Sequence, residues 1–359
     1  MTSDVTRRQL LALAASSAFG KPLDTTRSVI FRGRDGGATY FQPRACALPG
    51  PSPPRIFLTA APVTGDDVFW NLHWSESRDL GTSWSEPKPL PGLARVQHPD
   101  GITEELLADA GPEYHAPTGA VIILGDNVYY AKDGHTQTVL PGHRWQQPVY
   151  MTGGRDGNWS APRKLEWDDP RGSAMINAGN TQRVTLPGGD ILLALSHAPR
   201  ERYADGPLGS RGKLASGAFD RGVSVARCSF DGKTLAVRRV SAEFRLPVKR
   251  GLIEPSLAAY GGRFYLTMRA EDDRGYVSVS DDGLVWEKMR PWAWESGEAI
   301  TTSTTQQRWL VFDGRLFLVY TRRTSENEKV IRWRAPLLMA EVDAKRMHLK
   351  RATEQVVFP

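Results

Sequence analysis

Ser77-Arg78-Asp79-Leu80-Gly81-Thr82-Ser83-Trp84 is the stretch on which the fold reading turns. Asp79 is placed to accept hydrogen bonds from the amides of a tight turn, and Gly81 supplies the backbone freedom a hairpin of this kind needs. Trp84 closes the motif with a ring large enough to plug the gap between neighbouring sheets. The pattern is therefore a folding signature, and its residues are not expected to do chemistry.

Its parts recur. Trp84-Ser85-Glu86-Pro87-Lys88-Pro89-Leu90 returns as Trp159-Ser160-Ala161-Pro162-Arg163-Lys164-Leu165, behind a degenerate turn Arg155-Asp156-Gly157-Asn158. A shortened form, Ser229-Phe230-Asp231-Gly232-Lys233-Thr234-Leu235, returns 51 residues later as Ser280-Asp281-Asp282-Gly283-Leu284-Val285-Trp286. That interval is the size of one propeller blade. Trp84, Trp159 and Trp286 should then occupy equivalent places on their blades.

A second repeat lies between these turns: a turn residue followed by a short apolar, aromatic-containing run. It begins at Arg55, Asp126, Asp190, Arg263 and Arg315, at intervals of 71, 64, 73 and 52 residues. Short runs bounded by Gly, Pro, Asp or Asn argue for strands. Beyond the leader, the one helical stretch is Thr103 to Ala110, a short turn at best. At 359 residues, with 34 Gly and 25 Pro spread throughout and 11 Trp to fill inter-sheet space, the chain reads as a single all-β propeller over residues 28–359. About 50 to 60 residues per blade predicts six blades, with five or seven as alternatives.

Residues 1–27 stand apart. Arg7-Arg8 ahead of an apolar run to Phe19 resembles a twin-arginine export signal, which predicts a periplasmic or secreted protein that is soluble after signal removal. The run is too short to span a bilayer, so no membrane association is expected of the mature chain. Cys46 and Cys228 are too few for a disulfide framework. The net charge of +6 falls to +5 without residues 1–20 and suits anionic substrates. No stripe of Lys and Arg interleaved with aromatics points to nucleic acid.

The order in the C-terminal half carries a resemblance. Ile253-Glu254-Pro255-Ser256-Leu257 leads into Gly262-Arg263-Phe264-Tyr265-Leu266-Thr267-Met268-Arg269 and then Gly275 to Gly283. With the boxes above, this resembles a bacterial sialidase-family (BNR/Asp-box) propeller, in which a glutamate opens one strand and an arginine closes the next. The resemblance implies an exo-glycosidase that removes a terminal acidic sugar. In that chemistry arginines clamp the carboxylate, a Glu draws the proton from a Tyr nucleophile, and a loop Asp serves the leaving group. Carried onto this chain, Glu254 matches the activating glutamate and Arg269 the strand-end arginine. Arg322, Arg323 or Arg334 could supply another clamp, Tyr320 is the nearest phenol, and Asp66 or Asp67 is the acid. One departure is plain: Tyr40-Phe41-Gln42-Pro43 stands where the family has an arginine, unless Arg32, Arg34 or Arg44 replaces it.

Histidines supply a competing scheme. His73 lies between Trp70 and Trp74, Tyr114-His115 precedes a Pro, and Asn177 to Arg183 leads through a strand to His197. Histidine, tyrosine and arginine on such a fold would suit a uronic-acid lyase or hydrolase. Glu254, Arg269, Gln306-Gln307 and Tyr320-Thr321-Arg322 fall at blade positions where polar side chains would face the axis, and the polar stretch ending at Arg183 suits the same axial pocket. A non-catalytic glycan-binding propeller is the third reading. A glycan is the expected partner, and the protein is expected to be a monomer. No cofactor is expected; zinc-type spacings are missing from the sequence, while Ca²⁺ held by carboxylates and carbonyls stays open.

Overall fold

The computed structural model describes residues 23–30, 39–50, 52–65, 67–153, 157–179, 181–202, 221–302 and 305–359. The export segment with Arg7-Arg8, and Arg32, Arg34, Asp66 and Arg155-Asp156, lie outside the described residues.

Five antiparallel sheets follow one another along the chain. Blade 1 comprises Thr39–Leu48, Arg55–Val63, His73–Ser77 and Lys88–Pro89. Blade 2 comprises Thr103–His115, Ala120–Tyr130, Pro148–Gly153 and Arg163–Lys164, extended by the short pieces Val96–Gln97 and Gln137–Thr138. Blade 3 has a divided inner strand, Met175–Asn177 and Val184–Thr185, then Ile191–Ala198, Gly222–Phe230 and Leu235–Val240. Blade 4 is the plainest: Ile253–Tyr260, Arg263–Arg269, Gly275–Ser280 and Arg290–Pro291. Blade 5 comprises Arg308–Phe312, Arg315–Tyr320 and Leu337–Asp343, with His348–Leu349 and Gln355–Phe358 both paired to the third strand. The N-terminal stretch is clipped onto that last blade, since Leu23 N–H donates to Gln355 and Arg27 donates to the carbonyls of Val356 and Val357.

The fold is thus an all-β propeller of five blades, which corrects the expected six. The five apolar repeats fall on its second strands, four at the start and the one from Asp126 at the end of Ala120–Tyr130. Blades are longer than expected because blade 2 has a 13-residue inner strand and the stretch of sequence between the second and third strands of blade 3, from Ala198 to Gly222, is long.

A second correction concerns Thr103 to Ala110, which forms the start of the blade 2 inner strand. Register shifts between Glu105 and Ala108 and between Ala108 and Gly111 break its alternation. Each bulge advances the phase of burial by one residue, so the pattern imitates helical spacing.

The box turns join third to outer strands. Residues after the three tryptophans make the same ladder bond: Ser85 N–H to Glu76 O, Ser160 N–H to Thr152 O, Glu287 N–H to Val279 O. Trp84 and Trp286 each donate Nε1–H to the box glycine carbonyl at 3.1 Å. Asp231 and Asp282 each take two turn amides at 2.7 and 2.8 Å. Asp343 does the same for Lys345 and Arg346, a degenerate turn in blade 5 that sequence reading missed. Trp159 packs against Phe57 of blade 1 with ring centroids 5.4 Å apart and the rings tilted by 36°, filling the seam between blades.

His197 is buried in blade 3 against Trp167, between Arg171 O and Ser224 Oγ. Burial lowers its pKa from 6.5 to about 4, against the pull of Glu243. The native state then binds fewer protons than the unfolded chain between those values, so stability is complete above about 6.5 and is lost as pH falls toward 4. Denaturant titration should show a loss of about 2 kcal/mol between pH 7 and pH 5 from this group. His197→Gln should flatten that part of the profile; an unchanged slope would rule the histidine out as its source.

Candidate functional site

A cavity of about 560 Å³ opens at the axis and takes side chains from all five blades. Its geometry begins with bulges. Gln42, Asp109 and Glu254 have φ of 51°, 53° and 45°, each within a register break of an inner strand. Left-handed backbone at a non-glycine residue costs on the order of 1–3 kcal/mol, so each bulge is sustained by the surrounding sheet. Pro43 and Pro255 follow two of them and carry no amide hydrogen for the ladder to lose. All three bulge side chains line the cavity.

The position paired across each bulge is equally regular. Arg44 pairs Thr59, Gly111 pairs Leu124, Ser256 pairs Thr267 and Arg308 pairs Val319. Counting two residues outward places Gln306 with the bulge residues, and places Ala61, Asp126, Arg269 and Thr321 in one layer opposite them. Gln306, Arg269 and Thr321 line the cavity.

Arg269 meets Glu254 at 2.9 Å. Arg221 and Arg250 join them through the backbone: Arg221 N–H donates to Arg250 O, and Leu252 N–H to Arg221 O. Gly251, at φ 69°, makes this approach possible, because a Cβ there would lie 2.2 Å from Arg221 O. Arg221 stacks at 5.3 Å over Trp145, and Arg250 pairs with Glu271. Burial pushes Arg221 down to about 9, with Arg250 and Arg269 adding to the push. Burial also lowers Arg269; Arg250 and Arg334 add to that, against Glu254. Arg334 is lowered by burial and by Arg332, while Glu254 and Asp67 pull it back.

Asp67 sits at φ 58° in the blade 1 loop. Its carbonyl accepts from Tyr130 Oη at 2.9 Å and Gln137 Nε2 at 3.1 Å, and Tyr130 Oη accepts from Phe69 N–H. Arg95 holds the same loop through Phe69 O and stacks 3.8 Å over Trp70. Behind Asp109, Asp126 accepts from Asn177 Nδ2 and from the amides of Ala178 and Gly179. Burial pushes Asp126 up to about 8; the Ala178 amide opposes this and the charge of Asp109 adds to it.

Of the residues expected from sequence, Glu254, Asp67, Arg269, Arg334 and Gln306 come together here. Arg44 also lines the cavity and donates to Gln306 at 2.7 Å. Tyr320 lies elsewhere: it is wholly buried in the blade 5 core and donates to Glu354, and burial next to that carboxylate raises its pKa far above the usual phenol value. His115 is buried between Thr118 and Gly189 O, outside the cavity. His73 bonds Asn71 O and reaches the lining only through an edge contact with Tyr40 at 5.7 Å. Arg322 and Arg323 pair with Glu354 and Glu328 and do not line the axial cavity. Arg183 pairs with Glu113 at 3.2 Å in a second cavity, further along the same inner strands. Sequence reading missed Asp109, Arg221 and Arg250, and named Asn177 only within the polar stretch Asn177 to Arg183. Arg250-Gly251 was their one local signal, a basic residue beside a glycine between two strands. Among the described residues, no group of three or more His, Cys, Asp or Glu gathers as a metal site.

The architecture and this site define a class: a five-bladed propeller with an arginine-rich axial cavity. No protein-family model matches the chain, and no curated protein matches it in sequence. Solved structures share the fold. A protein of unknown function from Dyadobacter fermentans aligns with a TM-score of 0.56 at 16% identity, over 91% of this chain and 85% of that one. A sialidase from Trypanosoma rangeli, in complex with the inhibitor DANA, aligns with a TM-score of 0.56 at 15% identity, over 91% of this chain and 51% of its own length. The exo-β-1,3-galactanase 1,3Gal43A of Clostridium thermocellum gives 0.51 at 12% identity, over 90% and 62%. The chain therefore spans about half of that sialidase, and the likeness is one of fold.

Gly251 allows a direct check on how the arginines are brought together. Gly65 also has positive φ, 93°, but a Cβ there meets nothing within 4 Å. Gly65→Ala should cost about 1 kcal/mol from backbone strain alone, and Gly251→Ala at least about 2 kcal/mol more from the clash with Arg221. Equal losses in urea unfolding would mean that the Arg221–Arg250 contact is not close-packed.

Proposed function

We propose that the protein is a glycosidase that removes a terminal acidic sugar from a glycan. One observation carries the reading. Arg221, Arg250, Arg269 and Arg334 line one cavity with Glu254, and Arg221 and Arg269 are buried, an excess of positive charge that a substrate carboxylate would neutralise. A cavity of about 560 Å³ is of the size that takes a small ligand, roughly 300–1,000 Å³.

Tyr320 is buried away from this cavity, so we assign acid–base work to carboxylates. Glu254 is bound to Arg269 and orients the clamp. Asp67, in its pinned loop, serves as the acid toward the leaving oxygen, and Asp109 as the base toward water, the two-carboxylate logic of glycoside hydrolysis. Elimination from a uronate is the second reading, favoured by Tyr40 in the lining with His73 at its edge. Export through the Arg7-Arg8 segment stays part of the proposal on sequence grounds.

The test is incubation with sialosides and uronic-acid oligosaccharides, scored for released sugar and for the ultraviolet absorbance of an unsaturated product. Asp67→Asn and Asp109→Asn should each lower kcat by roughly 10² to 10⁴, and Arg269→Ala should lower kcat/KM by a comparable factor. Tyr320→Phe should leave kcat within about threefold, since it changes only a buried bond outside the cavity. Loss of turnover in Tyr320→Phe would restore the phenol as nucleophile, and an unsaturated product would select elimination.

A further inference from the structure

The guanidinium groups only donate, and they account for an anion. The same cavity also contains neutral acceptors. Asn177, at the break in the blade 3 inner strand, is about nine-tenths buried and lines the cavity. Its Nδ2 donates to Asp126 Oδ2 at 2.7 Å and lies 3.4 Å from Gln146 Oε1.

Asp126 is itself fixed. Its Oδ1 takes the Ala178 amide at 2.9 Å and its Oδ2 the Gly179 amide at 2.6 Å. Gly179 allows this, since a Cβ there would lie 2.2 Å from Oδ2. Each Asp126 oxygen thus takes a backbone amide, and the Asn177 amide turns its nitrogen to that carboxyl. Oδ1 is left on the other side, buried and without a hydrogen-bond partner. Gln42, from the blade 1 bulge, contributes a second such atom, Oε1. A buried acceptor is costly to leave unpaired, so one fixed at a cavity wall is available to a donor on a bound ligand.

We infer that Asn177 Oδ1, held by Asp126 and Gly179, is a specificity determinant that reads a hydroxyl or N–H donor on the same ligand whose carboxylate the arginines bind. The inference rests on the acidic-sugar reading and deepens it by assigning to Asn177 the discrimination of a sugar acid from a carboxylate on a bare ring.

The experiment is isothermal titration of the full chain with D-glucuronate, D-galacturonate, N-acetylneuraminate and, as the bare-ring probe, cyclohexanecarboxylate. The tightest sugar acid should bind at least about tenfold more tightly than cyclohexanecarboxylate. In Asn177→Ala that gap should shrink to about threefold or less through weaker binding of the sugar acid, while cyclohexanecarboxylate binding is unchanged. Arg269→Ala should weaken every acid. Equal binding of the sugar acids and cyclohexanecarboxylate by the unsubstituted protein would overturn the inference and leave the arginine reading intact. A preference that survives Asn177→Ala would also overturn it, with a water filling the Asn177 acceptor. Failure of every acid to bind would overturn both readings. The comparison within the unsubstituted protein needs no variant, so it stands even if Asn177→Ala does not fold.

Discussion

The contact between Arg221 and the Arg250-Gly251-Leu252 backbone is the constraint on which the candidate site depends. It joins the start of a blade 3 strand to the entry of blade 4 by two backbone hydrogen bonds, and in doing so forces guanidiniums into one buried network. Like charges 4 Å apart repel by about 4 kcal/mol at an effective dielectric of 20, so side chains alone would not choose this arrangement. The backbone chooses it, and Gly251 permits it. Glu254 and Glu271 offset part of the repulsion, and the indole face of Trp145 offsets some of the desolvation of Arg221.

The bulges supply the other half of the geometry. A regular strand at the axis would send alternate side chains into the cavity and into the inter-blade core. Gln42, Asp109 and Glu254 escape that alternation through left-handed backbone. Three blades therefore deliver a polar side chain at one level, and Gln306 completes the level from blade 5. Strain at this level is tolerable because apolar clusters between blades, which include Ala108 and Ala110 beside Asp109 and Met268 beside Arg269, hold the sheets together.

Much of the fold was legible in sequence. The five apolar repeats at Arg55, Asp126, Asp190, Arg263 and Arg315 fall on the five second strands, and the count of blades was present in them. The expectation of six came from dividing length by an average blade, which the long inner strand of blade 2 and the long stretch of sequence from Ala198 to Gly222 exceed. Glu254 and Arg269 were legible because both lie on one hairpin of a regular blade. Asp109 was hidden because the two bulges around it gave Thr103 to Ala110 a helical rhythm. Arg221 and Arg250 were hidden for another reason. Their meeting is a contact between residues that no local pattern links.

Tyr320 shows how narrow the margin was. It ends its strand just as Arg269 ends the equivalent strand of blade 4, and the two look interchangeable in sequence. The register separates them by one residue: Arg308 pairs Val319 where Ser256 pairs Thr267, so the partner of Arg269 in blade 5 is Thr321, and Tyr320 corresponds to Met268. A shift of one residue reverses the face, which puts the phenol in the core and the threonine at the cavity. The same layer carries Ala61 in blade 1, Asp126 in blade 2 and Arg269 in blade 4, so its charge is divided around the axis. Arg221, Arg250, Arg269 and Arg334 gather on the side of blades 3 to 5, and Asp67 and Asp109 on the side of blades 1 and 2, where Arg44 is the one lining arginine among the described residues. In the proposed reaction an acidic sugar is oriented by that division: its carboxylate is drawn toward Arg221 and Arg269, and the bond to be broken is turned toward Asp67 and Asp109.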